Sequence, residues 1–520
     1  MTNFKDSPSY QYHDLTKHSV ASLYSDNHYL DWENQPNPFR HYQGAECVSL
    51  DPGEKDLSGN FFQNSPAQIN RNISLKTLSS ILFYSLSISA WKKYADSAWH
   101  LRVNPSAGNL HPEETHLIAS NVEGLNAGIY HYNVYEHLLE MRCGKPFEES
   151  EWSSVGIDET TEKFCAFFVI NVITWRQAWK YRSRAFRYCF HDAGHVIGSL
   201  QYVFEQMRLD FKVFMKINSG KLKKLLGLED GDEFPLIVIG CGKNPGSSKS
   251  INSERVYRGK ANKLSKSEIS YPLIEEMRNH DICNNESNFY QQIDFEKNGL
   301  PTTIKPLETV SLEMGSPGEV KNFFTMVRNR RSAQAYDGKT EMELFDLTLI
   351  LKKAFEKPKL DYNSMTSSLV NLFLFVHRVK GLERGLYLYN ESECQLLLLQ
   401  SGNMESTARD LSLSQEIASN SAVCFAMISN FPLAFTLLNE AGYRSVHFEA
   451  GRIGQALYLG SESLGYNSTG IGAFFDNDVN RFLQLKEGHE VVYHFAMGKA
   501  VPDKRLQTLD GYFHLNVSDQ

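Results

Sequence analysis

The sequence lacks the features that mark several classes of protein. Its eight cysteines are scattered singly over 520 residues without a C-x-x-C pair, which argues against a disulfide framework and a zinc ribbon. No apolar run has the length of a membrane helix, and none follows residues 1–6, so we predict neither a membrane span nor a secretory signal. Basic residues number 53 against 61 acidic ones, which argues against a general nucleic-acid binder. We expect a cytoplasmic protein that binds neither membrane nor nucleic acid.

What is present indicates a globular protein with more than one domain. Apolar residues make up 42% of the chain and charged residues 22%, which is the usual profile of a folded globular protein. A chain of 520 residues exceeds what one core usually organises, so we expect two domains and connecting segments.

An internal repeat organises the chain. Gly-Leu-Asn-Ala-Gly-Ile-Tyr-His-Tyr at 124–132 matches Gly-Leu-Glu-Arg-Gly-Leu-Tyr-Leu-Tyr at 381–389. Likewise, Phe-Arg-Tyr-Cys-Phe-His-Asp-Ala-Gly-His at 186–195 matches Tyr-Arg-Ser-Val-His-Phe-Glu-Ala-Gly-Arg at 443–452. The second copy follows the first by 257 residues in both cases (128 to 385, and 194 to 451). One offset shared by two separated motifs predicts a tandem duplication.

The two halves show the same order of predicted elements. Each has a helix, a strand, a Gly-x-Tyr-x-Tyr hairpin-like segment, a second strand, a long amphipathic helix and a closing strand. The predicted bounds are helix 75–89 with strands 116–120, 166–173 and 234–240, then helix 341–355 with strands 373–377, 422–429 and 491–497. This mixture of helices and strands indicates an α+β layered fold.

Changes in composition suggest the domain boundaries. Residues 1–65 are rich in Asn, Pro, His and Tyr, and we expect an N-terminal arm that wraps the domains. Residues 66–243 and 321–520 are the two repeated domains. The polar stretch 244–320 is expected to be a linker with weak structure.

Three stretches carry residues that could recognise a ligand, and they resemble one family. They are Arg-Asn-Arg-Arg-Ser-Ala-Gln-Ala-Tyr at 328–336, Arg-Val-Asn-Pro-Ser-Ala-Gly-Asn-Leu-His-Pro at 102–112 and Ser-Thr-Gly-Ile-Gly-Ala-Phe at 468–474. Together with the 186–195 run they resemble the nitroreductase superfamily, in particular its SagB/ThcOx-like branch of FMN-dependent dehydrogenases. The resemblance covers both halves and leaves out the linker. It implies an α+β fold in which two tandem nitroreductase-like domains, each with α-β-α layers, form an intramolecular pseudo-dimer.

The resemblance also implies an FMN site. An arginine and a serine separated by one residue can clamp a phosphate, and the family's phosphate and ribityl element corresponds here to Arg330 and Ser332. Gln334 stands where members often place a Lys or Arg near flavin N1 and O2, so a positive charge that would stabilise reduced flavin is missing. The glycines of the third stretch let the backbone approach the flavin ring, because glycine has no Cβ. The residues implied to bind FMN are Arg102, Pro105, Ser106, Ala107, Gly108, Asn109, Arg330, Arg331, Ser332, Gln334, Gly470, Ile471, Gly472, Lys504 and Arg505.

The binding elements are divided between the halves so that one site is complete. Family dimers combine the Arg-x-Ser element of one protomer with the Pro-Ser-x-x-Asn element of the other. The second half keeps the first element, but the repeat offset places 362–366 (Tyr-Asn-Ser-Met-Thr) where the second should lie. The first half keeps the second element, has 65–71 (Ser-Pro-Ala-Gln-Ile-Asn-Arg) where the first should lie, and lacks the glycine loop near Phe214. We therefore expect one FMN per chain and a monomeric pseudo-dimer.

Lys180 and Tyr181 are the candidate catalytic residues. In the SagB/McbC-like branch, a Lys-Tyr pair at this position is associated with proton transfer during azoline oxidation. A tyrosine, or a lysine with a lowered pKa, is a reasonable general base. The alternative is that Lys180 is solvated at a helix start and Tyr181 packs.

His191 and His195 lie four residues apart, as the ligands of some zinc sites do, so a metal site is one interpretation of this pair. Their repeat counterparts are Phe448 and Arg452, which cannot form a ligand pair. A structural role is favoured, and no metal is expected.

Three functions stay open on the sequence. The leading one is an FMN-dependent dehydrogenase or oxidase that removes a hydride and a proton from a heterocycle in a small-molecule or peptide-derived substrate, such as an azoline. The second is an NAD(P)H-dependent nitro- or quinone reductase. The third is a flavin-binding scaffold without turnover.

Overall fold

The computed structural model describes residues 4–24, 29–54, 57–63, 73–157, 164–228, 231, 233–243, 254–283, 299–313, 315–356 and 368–515. The predictions that concern 65–71 and 362–366 lie outside these residues, as does part of the predicted linker. The helices are α1 Pro8–Leu15, α2 Val20–Tyr24, α3 Leu75–Ser85, α4 Glu149–Ser154, α5 Thr174–Tyr181, α6 Ala185–Gln206, α7 Ser219–Leu225, α8 Pro272–Cys283, α9 Phe323–Asn329, α10 Leu344–Ala354, α11 Glu405–Leu411, α12 Glu416–Asn420, α13 Phe431–Leu438, α14 Ala441–Ser463 and α15 Asp476–Phe482.

The strands of the first half and of the segment after it are β1 Tyr42–Gln43, β2 Glu46–Ser49, β3 Ile73–Ser74, β4 Ile88–Tyr94, β5 Ser97–Arg102, β6 Glu113–Ala119, β7 Val122–Glu123, β8 Gly128–Asn133, β9 Leu138–Cys143, β10 Phe164–Ile173, β11 Phe211–Phe214, β12 Glu233–Lys243, β13 Lys260–Ala261 and β14 Glu308–Ser311. Those of the second half are β15 Met342–Glu343, β16 Val370–Val376, β17 Val379–Lys380, β18 Gly385–Asn390, β19 Gln395–Ser401, β20 Val423–Asn430, β21 Asn467–Ile471, β22 His489–Gly498 and β23 Gln507–Asp510.

Each half contains one large antiparallel sheet. In the described residues the first has the strand order β11-β12-β10-β6-β8-β9-β2, and the second has β21-β22-β20-β16-β18-β19-β14. The two orders correspond strand by strand. The central strands β10 and β20 are apolar and almost wholly buried, because helices and loops cover both faces of the sheets.

Unusual backbone conformations also recur at matched positions of the two halves. His137 and Cys394, which lie 257 residues apart, both have positive φ, and so do Arg182 and Asn439. Non-glycine residues adopt this conformation only rarely, so its recurrence at matched positions is strong evidence of a duplicated domain. Arg182 and Asn439 follow α5 and α13 directly, and each turns the chain into a long helix, α6 or α14.

The long helices α6 and α14 cross at the centre of the molecule. The crossing is close because glycine stands in both helices: a Cβ on Gly194 would lie 2.9 Å from the Gly451 Cα. Side chains along both helices are buried almost throughout. The two halves therefore share a core rather than packing through an exposed interface.

Several element bounds differ from the predicted ones. The helix expected over 75–89 ends at Ser85, since the chain turns there into β4 and the hydroxyls of Ser85 and Ser87 bond back to helix carbonyls. The range expected as a weakly structured linker contains β13, α8 and β14, and β14 pairs with β19 of the second sheet. Polar composition did not reveal these elements because each depends on contacts with residues distant in the chain: β13 pairs with β1 of the N-terminal arm, and α8 buries Ile274 and Met277.

The N-terminal and C-terminal segments join the halves. Tyr12 is buried, and its hydroxyl donates to the Ser183 carbonyl 2.5 Å away. At the other end, β23 pairs with β4 of the first half. Among the helices of the described residues, none combines the length and the apolar composition that crossing a bilayer requires.

Candidate functional site

A cavity of about 810 Å³ lies between the two halves. Its volume is in the range of small-molecule and cofactor sites. The first half contributes the loop 104–109 and the α6 residues Tyr188, His191, Asp192 and His195. The second half contributes 330–334, Tyr458, Tyr493, the strand and loop 469–473, and 499–503. Most of the residues predicted to bind a cofactor therefore line one cavity.

Two arginines form a positively charged corner of the cavity. Arg330 is buried; its Nε donates to the Val103 carbonyl at 3.1 Å, and its Nη1 has no hydrogen-bond partner in the described residues. Burial, reinforced by the charges of Arg330 and Arg328, lowers the pKa of Arg331 to about 10. A buried cation with an unused donor is suited to an anion, which would supply the missing partner.

Ser332, Tyr458 and Gly470 are linked at the second-half wall. The hydroxyls of Ser332 and Tyr458 lie 2.9 Å apart, and the Gly470 amide donates to the Tyr458 hydroxyl, also at 2.9 Å. This amide is therefore already engaged. If the backbone of the glycine loop approaches a flavin ring, the amides that are available to it are those of the loop residues other than Gly470.

The two glycines of the loop are required by close neighbours. A Cβ on Gly470 would lie 2.0 Å from the Tyr493 hydroxyl, and one on Gly472 would lie 2.4 Å from Tyr188 Cε1. Neither distance can be accommodated without movement. Glycine at these positions lets the aromatic rings reach the cavity wall.

The loop 105–109 of the first half is held by a buried carboxylate. Asp192 on α6 accepts from the Ser106 hydroxyl at 2.6 Å, the Ala107 amide at 3.0 Å and Gln177 Nε2 at 2.8 Å. Burial raises the pKa of Asp192 to about 7, although these three donors oppose the shift. Asn109 closes the loop by donating from Nδ2 to the His100 carbonyl at 2.8 Å.

Lys180 and Tyr181 lie at the end of α5 against Gly108. A Cβ placed on Gly108 would be 2.7 Å from the Tyr181 hydroxyl and 3.3 Å from Lys180 Nζ. Tyr181 lines the cavity, whereas Lys180 is partly exposed and is not among the lining residues. Burial lowers the pKa of Lys180 and raises that of Tyr181. Of the two, Lys180 is thus the better proton acceptor and Tyr181 stays protonated.

Other predicted residues have different surroundings. Arg102 lines the cavity, but its guanidinium donates to the Pro38 carbonyl at 2.6 Å, so it is already used on the N-terminal arm. Gln334 lies exposed at the cavity wall. Lys504 and Arg505 are exposed and are not among the lining residues; Arg505 pairs with Asp503 at 2.7 Å. The structure does not bring these two cations to the cavity as phosphate ligands.

Sequence reasoning missed several cavity residues. Asp192, Tyr458 and Tyr493 were not singled out, although all three line the cavity. A signal was present for Asp192, because its repeat counterpart Glu449 is also acidic. Glu449 accepts from the Ser368 hydroxyl at 2.7 Å and from the Leu369 amide at 2.9 Å, so the second half also has an acidic residue that anchors its long helix to the segment before the sheet.

The two histidines at zinc-like spacing, His191 and His195, have other contacts. His191 stacks on Tyr493, with ring centroids 4.4 Å apart. His195 lies 3.2 Å from Gln455 Oε1 and 3.1 Å from the Tyr493 hydroxyl. These contacts join the first half to the second at the wall of the cavity.

Comparisons with known proteins agree with this architecture. Residues 327–499 match the family model described as "Nitroreductase family". The crystal structure of a protein named as a nitroreductase from Anabaena variabilis aligns over 95% of this chain and 100% of its own, with a TM-score of 0.74 and 24% identity. The fold is thus that of tandem nitroreductase-like domains, and the second half contains a nitroreductase family domain.

Two curated relatives match shorter stretches. A protein named as a nitroreductase in Methanocaldococcus jannaschii is 25% identical over 118 residues, or 23% of this chain. The trifolitoxin-processing protein TfxB of Rhizobium leguminosarum bv. trifolii is 26% identical over 174 residues, or 32% of this chain. The matches span 60% and 47% of these relatives' own lengths.

Proposed function

We propose that this protein is an FMN-dependent oxidoreductase of the SagB/ThcOx type, which oxidises a heterocycle in a small-molecule or peptide-derived substrate. The observation that carries the proposal is the cavity in which Arg330 and Ser332 of one half face the loop 105–109 of the other. The nitroreductase family domain at 327–499 supports the oxidoreductase class. The similarity to a trifolitoxin-processing protein supports a peptide-derived substrate.

The residues of the cavity fit FMN. Arg330, with its unpartnered buried Nη1, and Arg331 would hold the phosphate, and Ser332 would bond to the phosphate or ribityl chain. The loop 105–109 and the glycine loop would bound the ring from opposite halves. When bound, FMN supplies a hydride acceptor at N5.

The chain's own contribution to the chemistry would be proton removal and positioning. Oxidation of an azoline to an azole takes a hydride and a proton from adjacent atoms of the ring. Lys180 Nζ would accept the proton, since burial lowers its pKa and a base works best when its pKa lies near the working pH. Reoxidation would need oxygen or another acceptor.

The first test is the cofactor content of the purified protein. We expect the visible spectrum of a flavin and about one FMN per chain. Arg330→Ala should weaken FMN binding by roughly 100-fold, because a buried charge-assisted contact is lost. Arg505→Ala is the matched control, since Arg505 is exposed and pairs with Asp503, and it should keep its FMN. Two FMN per chain would overturn the single site, and no FMN after reconstitution would overturn the enzyme.

The second test separates the reaction from its main alternative. An NAD(P)H-dependent nitro- or quinone reductase is favoured by the relative from Methanocaldococcus jannaschii that is named as a nitroreductase. Rapid mixing of the flavoprotein with NAD(P)H or with an azoline peptide distinguishes the two. Fast flavin bleaching by the peptide supports the dehydrogenase, whereas bleaching by NAD(P)H alone supports the reductase. Bleaching by neither supports a flavin-binding scaffold.

A further inference from the structure

Gln177 contacts both parts of the candidate site that the first half provides, the loop 105–109 and Asp192 of α6. Its side chain is fully buried on α5. Nε2 donates to the Ala107 carbonyl at 3.1 Å and to Asp192 Oδ2 at 2.8 Å. Asp192 in turn accepts from the Ala107 amide at 3.0 Å. The peptide group before Ala107 is therefore bonded to α6 through Asp192, and the peptide group after it is bonded to α5 through Gln177.

Gln177 shares a helix face with the candidate catalytic pair. Residues three and four apart on a helix are neighbours on its surface, so Gln177 stands directly behind Lys180 and Tyr181. All three side chains contact or border the loop 105–109, since Lys180 and Tyr181 lie against Gly108. The glutamine amide thus ties this face of α5 to the loop, through its bonds to the Ala107 carbonyl and, at 3.3 Å, to the Ser106 hydroxyl.

The second half provides an internal comparison. In α13 the counterparts of Gln177, Lys180 and Tyr181 are Ala434, Leu437 and Leu438, and all three counterparts are buried. The counterpart of Asp192, Glu449, still holds its loop through the Ser368 hydroxyl and the Leu369 amide. The acidic anchor is therefore common to both halves, whereas the glutamine occurs only in the half that has the Lys-Tyr pair.

We propose that Gln177 is a positioning residue that fixes Lys180 and Tyr181 against the loop 105–109. This inference rests on the proposed function for its consequence in turnover. The anchor shared by the two halves serves the fold, because it persists where the pair is absent. The glutamine is absent from the second half together with Lys180 and Tyr181, which indicates that its role concerns these two residues. Without its amide, α5 loses its bond to the Ala107 carbonyl, and we expect Lys180 to gain access to solvent.

The test compares Gln177→Met, which keeps the length of the side chain and removes its donor, with Gln201→Met. Gln201 is a buried glutamine on α6 whose Nε2 donates to Glu205 at 2.9 Å, away from α5. Competitive acetylation with acetic anhydride across a pH series, read by mass spectrometry against Lys504, gives the pKa of Lys180 without substrate or cofactor. We expect Gln177→Met to move that pKa up toward the ordinary 10.5, and Gln201→Met to leave it unchanged.

Turnover gives a second readout. FMN content should stay at the wild-type level in Gln177→Met, because Asp192 still holds the loop, while kcat falls about 10- to 100-fold through misplacement of the reacting groups. The acidic limb of the rate profile should move to higher pH with the Lys180 pKa. An unchanged Lys180 pKa overturns the proposal, whether or not kcat falls.

The two proposals fail in distinguishable ways. A wild-type chain without FMN or turnover would remove the proposed function, while the acetylation comparison would still decide the role of Gln177. If Gln177→Met loses its cooperative thermal transition, Gln177→Asn replaces it. Asparagine keeps the amide but is one methylene too short to reach Ala107, so the same shift in Lys180 is expected.

Discussion

Gly194 and Gly451 occupy the same position in the two halves and contact each other where α6 crosses α14. A Cβ on Gly194 would lie 2.3 Å from the Phe448 carbonyl oxygen, and one on Gly451 would lie 2.1 Å from that of His191. These neighbours are helix backbone and cannot give way as a side chain can. The duplicated glycine therefore sets the distance between the halves and, with it, the width of the cavity that they enclose.

Gly194→Ala should accordingly destabilise the protein. Overpacking costs about 1–3 kcal/mol, and the upper end applies here because the atoms that the new Cβ meets are backbone. The gain in helix propensity of roughly 1 kcal/mol offsets only part of that cost. Urea unfolding followed by circular dichroism measures the difference. Gly144→Ala is the control, because Gly144 is exposed and nothing lies within 4 Å of its added Cβ. Equal stability of the two variants would contradict the account of the crossing.

Gly472→Ala should act on the cavity itself. Its Cβ would lie 2.4 Å from Tyr188 Cε1, and Tyr188 is already packed on Tyr181 with ring centroids 4.6 Å apart. The Tyr188 ring or the glycine loop must shift into the cavity, so we expect FMN affinity to fall about 10-fold. Fluorescence titration of the apoprotein measures it. Gly318→Ala, at an exposed glycine without neighbours within 4 Å, should bind FMN as the wild type does.

Sequence analysis could identify those parts of the candidate site that are formed by short local motifs. The repeat offset identified the duplication, and short motifs identified Arg330, Ser332 and the loop 105–109, which line one cavity. Gln177 and Tyr493 could not be found in this way, because their importance comes from contacts between elements distant in the chain. The resemblance placed Arg505 at the cofactor by its position near the C-terminus, but its side chain is exposed, pairs with Asp503 and is not among the lining residues.

Asp192 should make stability fall as pH rises toward neutrality. Burial raises its pKa from the ordinary 3.8 to about 7, so the folded state keeps a proton that the unfolded chain releases. Stability therefore decreases between about pH 4 and pH 7, by at most about 1.4 kcal/mol per pH unit, and this contribution is constant above pH 7. Asp192→Asn should remove this part of the slope in urea unfolding measured from pH 4.5 to pH 8.

A neighbouring carboxylate limits how far this substitution can change the pH slope. Burial and the charge of Asp192 also raise the pKa of Glu113, so Asp192→Asn should reduce the slope rather than abolish it. A slope unaffected by Asp192→Asn would show that Asp192 is ionised throughout this range.

Asp476 should have the opposite pH dependence. It is buried between Arg184 and Arg187, at 3.0 Å and 2.8 Å, and accepts from the His18 amide at 2.8 Å. Although burial opposes it, the attraction of the two arginines lowers the pKa of Asp476 to about 2. Because the folded pKa lies below the ordinary 3.8, the stabilisation is complete above about pH 4 and is lost as pH falls toward 2.

Asp476→Asn should therefore cost about 3–5 kcal/mol at pH 7, since it leaves two buried guanidinium groups without their counter-charge. It should also loosen the N-terminal arm, which limited proteolysis would detect as faster cleavage before His18. Asp478→Asn is the matched control, because Asp478 is 45% exposed and pairs with Arg481 within the same helix; such a surface pair contributes less than about 1 kcal/mol. If both variants unfold at the same urea concentration, the buried cluster does not hold the two halves and the arm together.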